Sequence, residues 1–300
     1  MNKILCIVGP TASGKSAFAI EVAKQLNSEI ISADSMQIYK HMNIGTAKIC
    51  QADTHIKHHL LDIVEPFAEF SVANYQTLAL PIIEQLIKDN KTPIVCGGTG
   101  LYINSILYPL NFSETSKNND LRDSLKAKLN EFGAEYMHDW LCRLDTVSAE
   151  KIHTNDTKRV LRALEINLNF GLKVNTEIKQ PQYEYLMIGF NPNDRKTLYD
   201  RIDNRVDTMF LNGLTTEVEN LIKNGVTFDC QSMQAIGYKE FKQYFSGDIN
   251  ITELKELIKQ HSRNYAKRQL TWFKKYNDIV WFDKPCDEAI TLVNNTFLRK

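Results

Sequence analysis

Eight residues near the N-terminus constrain this chain more than any others. Gly9-Pro10-Thr11-Ala12-Ser13-Gly14-Lys15-Ser16 follows a short apolar run, Ile4 to Val8. It precedes a segment whose apolar residues Ala19, Val22, Ala23 and Leu26 share one helical face. A turn of the form G-x-x-x-x-G-K-[ST] between a strand and a helix is a phosphate cradle. Its glycines let backbone N–H groups curl around phosphate oxygens, and the helix N-terminus adds the positive end of its dipole. Lys15 supplies a point charge, and the Ser16 hydroxyl can ligate Mg²⁺. The bland alternative is a glycine-rich turn bearing an exposed lysine. The motif names a phosphate but not ATP; a small-molecule kinase is its first natural reading, and residues elsewhere must decide.

The rest of the chain extends this start into a fold. Ile30-Ile31 ends at Asp34, a helix is predicted over about 73–88, and a strand over 93–96. Alternation of strand and helix argues for an α/β core with a parallel sheet, as in P-loop NTPases. Beyond Asn118 strand signals stop. Charged helical segments are predicted over 121–132, 134–144 and 156–169, before Glu184 to Phe190 returns as a strand. The sequence therefore predicts a catalytic core of residues 1–117 and 181–300 carrying a helical insertion of residues 118–180. A long helix over about 252–275 and a last strand over 279–282 complete the core. With 300 residues, 43% of them hydrophobic, the chain can bury cores for both.

Charge and cysteine usage narrow the partners. The 36 basic and 36 acidic residues cancel, so a polyanion must be held by local patches. Six cysteines without a C-x-x-C pair fit neither a disulfide framework nor a zinc site, and suit a reducing compartment. The apolar start is too short for a signal segment, and no apolar run approaches the ~18 residues that span a bilayer. The expectation is a cytoplasmic protein without a membrane partner, acting as a monomer.

Ligands of open α/β sheets sit beyond the carboxyl ends of the strands. Asp34 stands there, inside Ser32-Ala33-Asp34-Ser35-Met36-Gln37-Ile38-Tyr39. It can act as a general base or Mg²⁺ ligand, or simply cap a turn. Gly97-Gly98-Thr99-Gly100 follows the strand ending at Cys96, and its backbone can approach a ligand closely, although a plain turn needs only one glycine. His55, His58 and His59 lie close together, but no Cys or Glu sits at ligand spacing on a recognisable helix, so packing or substrate contact is the main reading.

Basic residues recur in three places. Lys158, Arg159 and Arg162 share a helical face, either a solvated surface or a phosphate-tracking one. Arg201 and Arg205, four residues apart, can reach one anion. Arg263, Lys267, Arg268, Lys274 and Lys275 interleave with Tyr265, Trp272 and Phe273. Such a mixture suits unstacked bases, while aromatics at helical spacing also suit a core.

Taken together these motifs resemble the tRNA dimethylallyltransferase (tRNA isopentenyltransferase) family. The matching stretches are GPTASGKS at 9–16, SADSMQIY at 32–39, GTAK at 45–48, HHLLD at 58–62 and GGTGLY at 97–102. NDTKRVLRALE at 155–165, QAIGYKE at 234–240 and AKRQLTWF at 266–273 follow in family order. A bacterial-type member is expected, since no zinc-finger segment follows.

The resemblance implies that the cradle, Gly9 to Ser16, grips the diphosphate of dimethylallyl diphosphate, with Mg²⁺ on Ser16 and help from Arg201 or Arg205. It implies transfer of the dimethylallyl group to N6 of the adenosine beside the anticodon, with Asp34 as base and Thr11, Lys15 and Arg201 in the catalytic group. It implies contact with the tRNA anticodon stem-loop by Asp34, Ser35, Met36, Gln37, Thr99, Leu121, Lys158, Arg159, Val160, Leu161, Arg162, Lys267, Arg268 and Gln269. Two rivals stand beside it: a P-loop kinase of a nucleotide or small metabolite, which would need an arginine-rich lid that the sequence does not display, and a non-catalytic RNA-binding protein.

Overall fold

The computed structural model describes residues 3–50, 54–108, 119–170 and 180–298. The chain divides into two compact units, one of Met1–Tyr108 with Pro181–Lys300, the other of Pro109–Gln180.

In the first unit β1 (Lys3–Val8) leads into α1 (Lys15–Gln25), β2 (Ile30–Ser32), β3 (His58–His59), α2 (Val72–Lys88), β4 (Ile94–Gly97) and α3 (Gly100–Leu107). The second unit holds α4 (Asn119–Leu144), α5 (Thr146–Lys151) and α6 (Thr157–Phe170). The first then resumes with β5 (Glu184–Phe190), α7 (Arg195–Leu211), α8 (Leu214–Lys223), α9 (Phe241–Phe245), α10 (Ile251–Phe273), β6 (Ile279–Phe282) and α11 (Asp287–Phe297).

Its six strands form one sheet in the order β3-β2-β4-β1-β5-β6, every pairing parallel. Parallel sheets survive only when both faces are covered, and β1 obeys: Ile4 to Val8 are fully buried. Ile4, Cys6 and Val8 face a core shared with Tyr75 and Ile83 of α2, Ile103 of α3, Val206 of α7 and Ile258 of α10. Leu5 and Ile7 face the opposite layer, packed with Phe18 and Val22 of α1 and Val293 of α11. That alternation is the period-2 geometry of a strand.

The predicted elements hold to within a few residues, and β5 matches its predicted span. Several elements were not foreseen, among them α5, α11 and β3, the last being two histidines paired with Ile30 and Ile31. A polar dipeptide gives no strand signal; its neighbour β2 supplies the ladder.

In the second unit, helical geometry in α4 breaks at Gly133, with φ 83° and ψ 175°, between the two predicted helices. Asp145 caps α5, its Oδ1 accepting from Ser148 N at 3.1 Å. Leu125, Met137, Leu141, Ala149, Val160, Ala163 and Leu164 close a core of their own. The insertion expected over 118–180 has its first residue outside the described residues; the compact unit is Pro109–Gln180. No helix among the described residues is long and apolar enough to cross a membrane.

Candidate active site

The cradle forms where β1 ends. Gly9, at φ +142°, approaches the Phe190 carbonyl so closely that an added Cβ would lie 2.6 Å from it. Gly14, at φ +89°, turns the chain into α1. Inside the turn Ser13 is fully buried and its Oγ makes no hydrogen bond. A buried hydroxyl without a partner is costly. A phosphate oxygen would satisfy it.

Beside the cradle lies a cavity of about 300 Å³. Thr11, Lys15 and Ser16 line it, and so do Asp34 to Gln37 after β2, Gly45 to Ala47, Arg205 of α7, and Tyr265, Arg268 and Gln269 of α10. The sheet brings the first two groups together, because β1 and β2 flank β4 and both end at this edge. Burial pushes the Lys15 ammonium below its usual pKa, with Arg205 adding to the push and Cys96 and Asp34 opposing it. Burial likewise lowers Arg205, against the pull of Asp34. Lys15 Nζ donates to the Pro10 carbonyl at 3.0 Å, and Arg205 Nη2 to the Thr46 carbonyl at 3.4 Å. Two desolvated cations thus face one cavity with carbonyl partners. An anionic ligand would relieve both.

Asp34 caps a turn, its Oδ1 accepting from Met36 N at 2.9 Å, and also faces the cavity. Thr99 Oγ1 accepts from Ser35 N at 3.1 Å, tying this turn to the glycine-rich loop. Tyr265 interacts with Thr99 and Gln269, and its hydroxyl is pushed up to about 12 by burial and the Asp34 charge.

The glycine-rich loop is packed closely by protein, although Gly97 also lines the cavity. A Cβ at Gly97 would lie 2.1 Å from the Ala33 carbonyl, one at Gly98 2.0 Å from Gln269 Nε2, and one at Gly100 2.0 Å from the Trp272 ring. Gln269 differs as well. It is 5% exposed, its Oε1 accepts from Thr11 N at 2.9 Å, and its Nε2 donates to the Gly98 carbonyl at 3.1 Å. Those bonds latch the cradle to the loop, so its amide serves protein contacts. Trp272 and Phe273 pack into or against the core, while Lys267 and Arg268 are exposed. Arg268 lies over the Tyr265 ring, 5.5 Å from its centroid.

Of the two arginines on α7, Arg205 lines the cavity and Arg201 is exposed outside it. The two stand one helical turn apart on neighbouring rows: Arg205 lies beside Ile202, Val206 and Met209, which line the cavity, while Arg201 lies a turn nearer the start of α7, in solvent. In the helical unit Lys158 and Arg159 are exposed, and Arg159 pairs with Asp156 at 3.3 Å. Arg162 instead pairs at 3.0 Å with the buried Glu165, which Arg122 also reaches at 3.1 Å. Val160 corrects the expected RNA surface, being 1% exposed in the unit's core, with Leu161 and Leu121 packed against that core.

The histidines separate. His58 is buried, its Nδ1 facing the Ile56 carbonyl at 2.8 Å, and His55 is exposed. His59 Nε2 meets Glu29 at 2.6 Å, as does Lys91 Nζ. These partners hold Glu29 down at about 2 against the opposing effect of burial.

The family model described as IPP transferase matches residues 37–276, and one described as isopentenyl transferase matches 2–59. The chain belongs to the IPP transferase family. A tRNA dimethylallyltransferase of Thermoanaerobacter sp. (strain X514) is 49% identical over 287 residues, covering 93% of this chain and 91% of that protein. One of Clostridioides difficile (strain 630) is 46% identical over 305 residues, covering 99% and 97%. The crystal structure of a full-length tRNA isopentenylpyrophosphate transferase from Bacillus halodurans is 41% identical. It matches with a TM-score of 0.74 over 99% of this chain and 96% of that one. A eukaryotic dimethylallyltransferase crystallised acting on tRNA matches at 27% identity and a TM-score of 0.84, over 99% and 79%. The IPP transferase motifs thus sit on a P-loop NTPase-like core, as expected.

Apart from Ala235 and Ile236, which lie in the QAIGYKE stretch, the cavity's aliphatic wall had no signal in the sequence. Ile202, Val206, Met209, Ala235, Ile236 and Ile258 come from helices and a loop more than 180 residues beyond the cradle in the chain. Helical periodicity marks such residues as buried, but not as lining a cavity.

Proposed function

We propose that this enzyme transfers a dimethylallyl group from dimethylallyl diphosphate to N6 of the adenosine adjacent to the anticodon of a tRNA, releasing diphosphate. One observation carries the reading. A single cavity offers two desolvated cations at a phosphate cradle, an aliphatic wall, and a carboxylate. A prenyl diphosphate has that combination of parts, a charged head on a short apolar tail.

The chemistry follows from the residues. An adenine amine is a weak nucleophile because its lone pair is delocalised into the ring. The amine nitrogen forms a bond to the allylic carbon while the carbon–oxygen bond breaks, and that electron pair leaves with the diphosphate. Lys15, the cradle N–H groups and Arg205 stabilise the negative charge that grows there. Ser13 donates its free hydroxyl to the same anion. Asp34 accepts the proton leaving the amine, a contribution of roughly 10²–10⁴-fold. Enclosure of the base in the cavity requires the adenosine to leave its stack.

Ser16 lines the cavity with Asp34, so a hydroxyl and a carboxylate stand together as hard oxygen donors that suit Mg²⁺. Bound Mg²⁺ would supply further charge neutralisation to the diphosphate. Lys158 and Arg159, exposed on α6, suit contact with the tRNA backbone. Such a substrate, with six free cysteines, suits a cytoplasmic enzyme.

The test is incubation with dimethylallyl diphosphate and unmodified tRNA, followed by mass spectrometry of anticodon-loop fragments. A gain of one prenyl unit on the adenosine is expected. Transfer of label from γ-labelled ATP to a small acceptor, without prenylation, would replace this reading with a kinase.

A further inference from the structure

Arg205 is held over the cavity by a loop that has its own anchor. The Thr46 carbonyl, which accepts from Arg205, lies in the turn of residues 43–48. Three successive backbone N–H groups of that turn point at one side chain, Glu217 of α8. Asn43 N and Ile44 N both donate to Glu217 Oε2 at 2.8 Å, and Gly45 N donates to Oε1 at 3.2 Å. The Tyr238 hydroxyl donates to the same Oε1 at 2.6 Å.

The arrangement is tightly determined. Tyr238 is fully buried, and its ring occupies the space of a side chain at Gly45, where a Cβ would fall 2.4 Å away. A successive run of N–H groups normally makes an anion-binding concavity. Here the protein's own carboxylate fills it, and charge-assisted bonds of this kind are among the stronger ones. From the other side the Thr46 carbonyl also accepts from Gln37 Nε2 at 3.2 Å. Glu217 itself does not line the cavity, whereas Gly45, Thr46 and Ala47 do.

We infer that Glu217 is a positioning residue for the diphosphate site: it fixes the 43–45 backbone, which aims the Thr46 carbonyl, which orients the Arg205 guanidinium. This rests on the reading that Arg205 binds the diphosphate of the donor. The plain alternative is a staple that stabilises the loop with no bearing on Arg205.

A double-mutant cycle separates the two, read as the affinity for inorganic pyrophosphate with Mg²⁺ by calorimetry on the whole chain. Glu217→Gln keeps the shape but turns an NH₂ group toward N–H donors, so it should weaken pyrophosphate binding about fivefold. In an Arg205→Ala background the same change should cost less than about 1.5-fold, because the group it acts through is gone. Tyr238→Phe, a gentler change, should give a smaller loss that also vanishes without Arg205, and it serves if Glu217→Gln does not fold. Equal losses with and without Arg205 would overturn the inference while leaving the proposed function standing. Failure of the unaltered protein to bind pyrophosphate would overturn both.

Discussion

The cavity of the α/β unit and the surface of the helical unit use the same residue types in opposite ways. At the cavity Lys15 and Arg205 are desolvated, bonded to carbonyls, and within reach of the Asp34 charge. On α6, Lys158 and Arg159 stand in solvent, and Arg159 shares an exposed pair with Asp156 three residues away. A charge removed from water interacts strongly and is poorly screened; one in water interacts weakly and is screened within about 8–10 Å. The first arrangement suits a small, densely charged anion whose bond must break. The second suits a long polyanion gripped at many weak points.

Losses should therefore be large and insensitive to salt at the cavity, and small and salt-dependent on the helix. Lys15→Ala should lower kcat/KM about a thousandfold with little dependence on salt; a loss confined to tRNA affinity would break the contrast. Asp34→Ala should lower kcat about a hundredfold and leave tRNA affinity within about twofold. Unchanged turnover would remove it from the base role. Arg205→Ala should raise the KM of the allylic donor about tenfold, whereas Arg201→Ala should move it less than about twofold. The reverse order would show that α7 rotates on binding. Arg159→Ala should weaken tRNA binding about threefold and reduce the slope of log affinity against log salt by about one. A change in turnover alone would contradict a backbone contact.

The corrections at the site have a common origin. GGTG reads as either a ligand loop or a turn because glycine signals close approach without naming the partner. In the fold the near neighbours are Ala33, Gln269 and Trp272, with Gly97 also at the cavity. Gln269 sits in a basic, RNA-like stretch, yet it is buried and latches Thr11 to Gly98. Val160 lies among lysine and arginine, yet helical phase turns it into the core of its unit. In each case composition described the neighbourhood and orientation decided the role.

What the sequence by itself determined was local. The phosphate cradle, the carboxylate at the end of β2, the helical break at Gly133 and the alternation of strand and helix are properties of contiguous residues. They follow from backbone freedom, from period and from spacing. Only the tertiary structure could choose Arg205 over Arg201, gather an aliphatic wall from α7, α10 and the loop before α9, and set Glu217 behind the turn it supports. Those choices depend on which face of an element meets which neighbour across sequence separations as large as the 258 positions from Thr11 to Gln269. No local pattern carries that information, because contact between distant residues is fixed by packing and not by the chain between them.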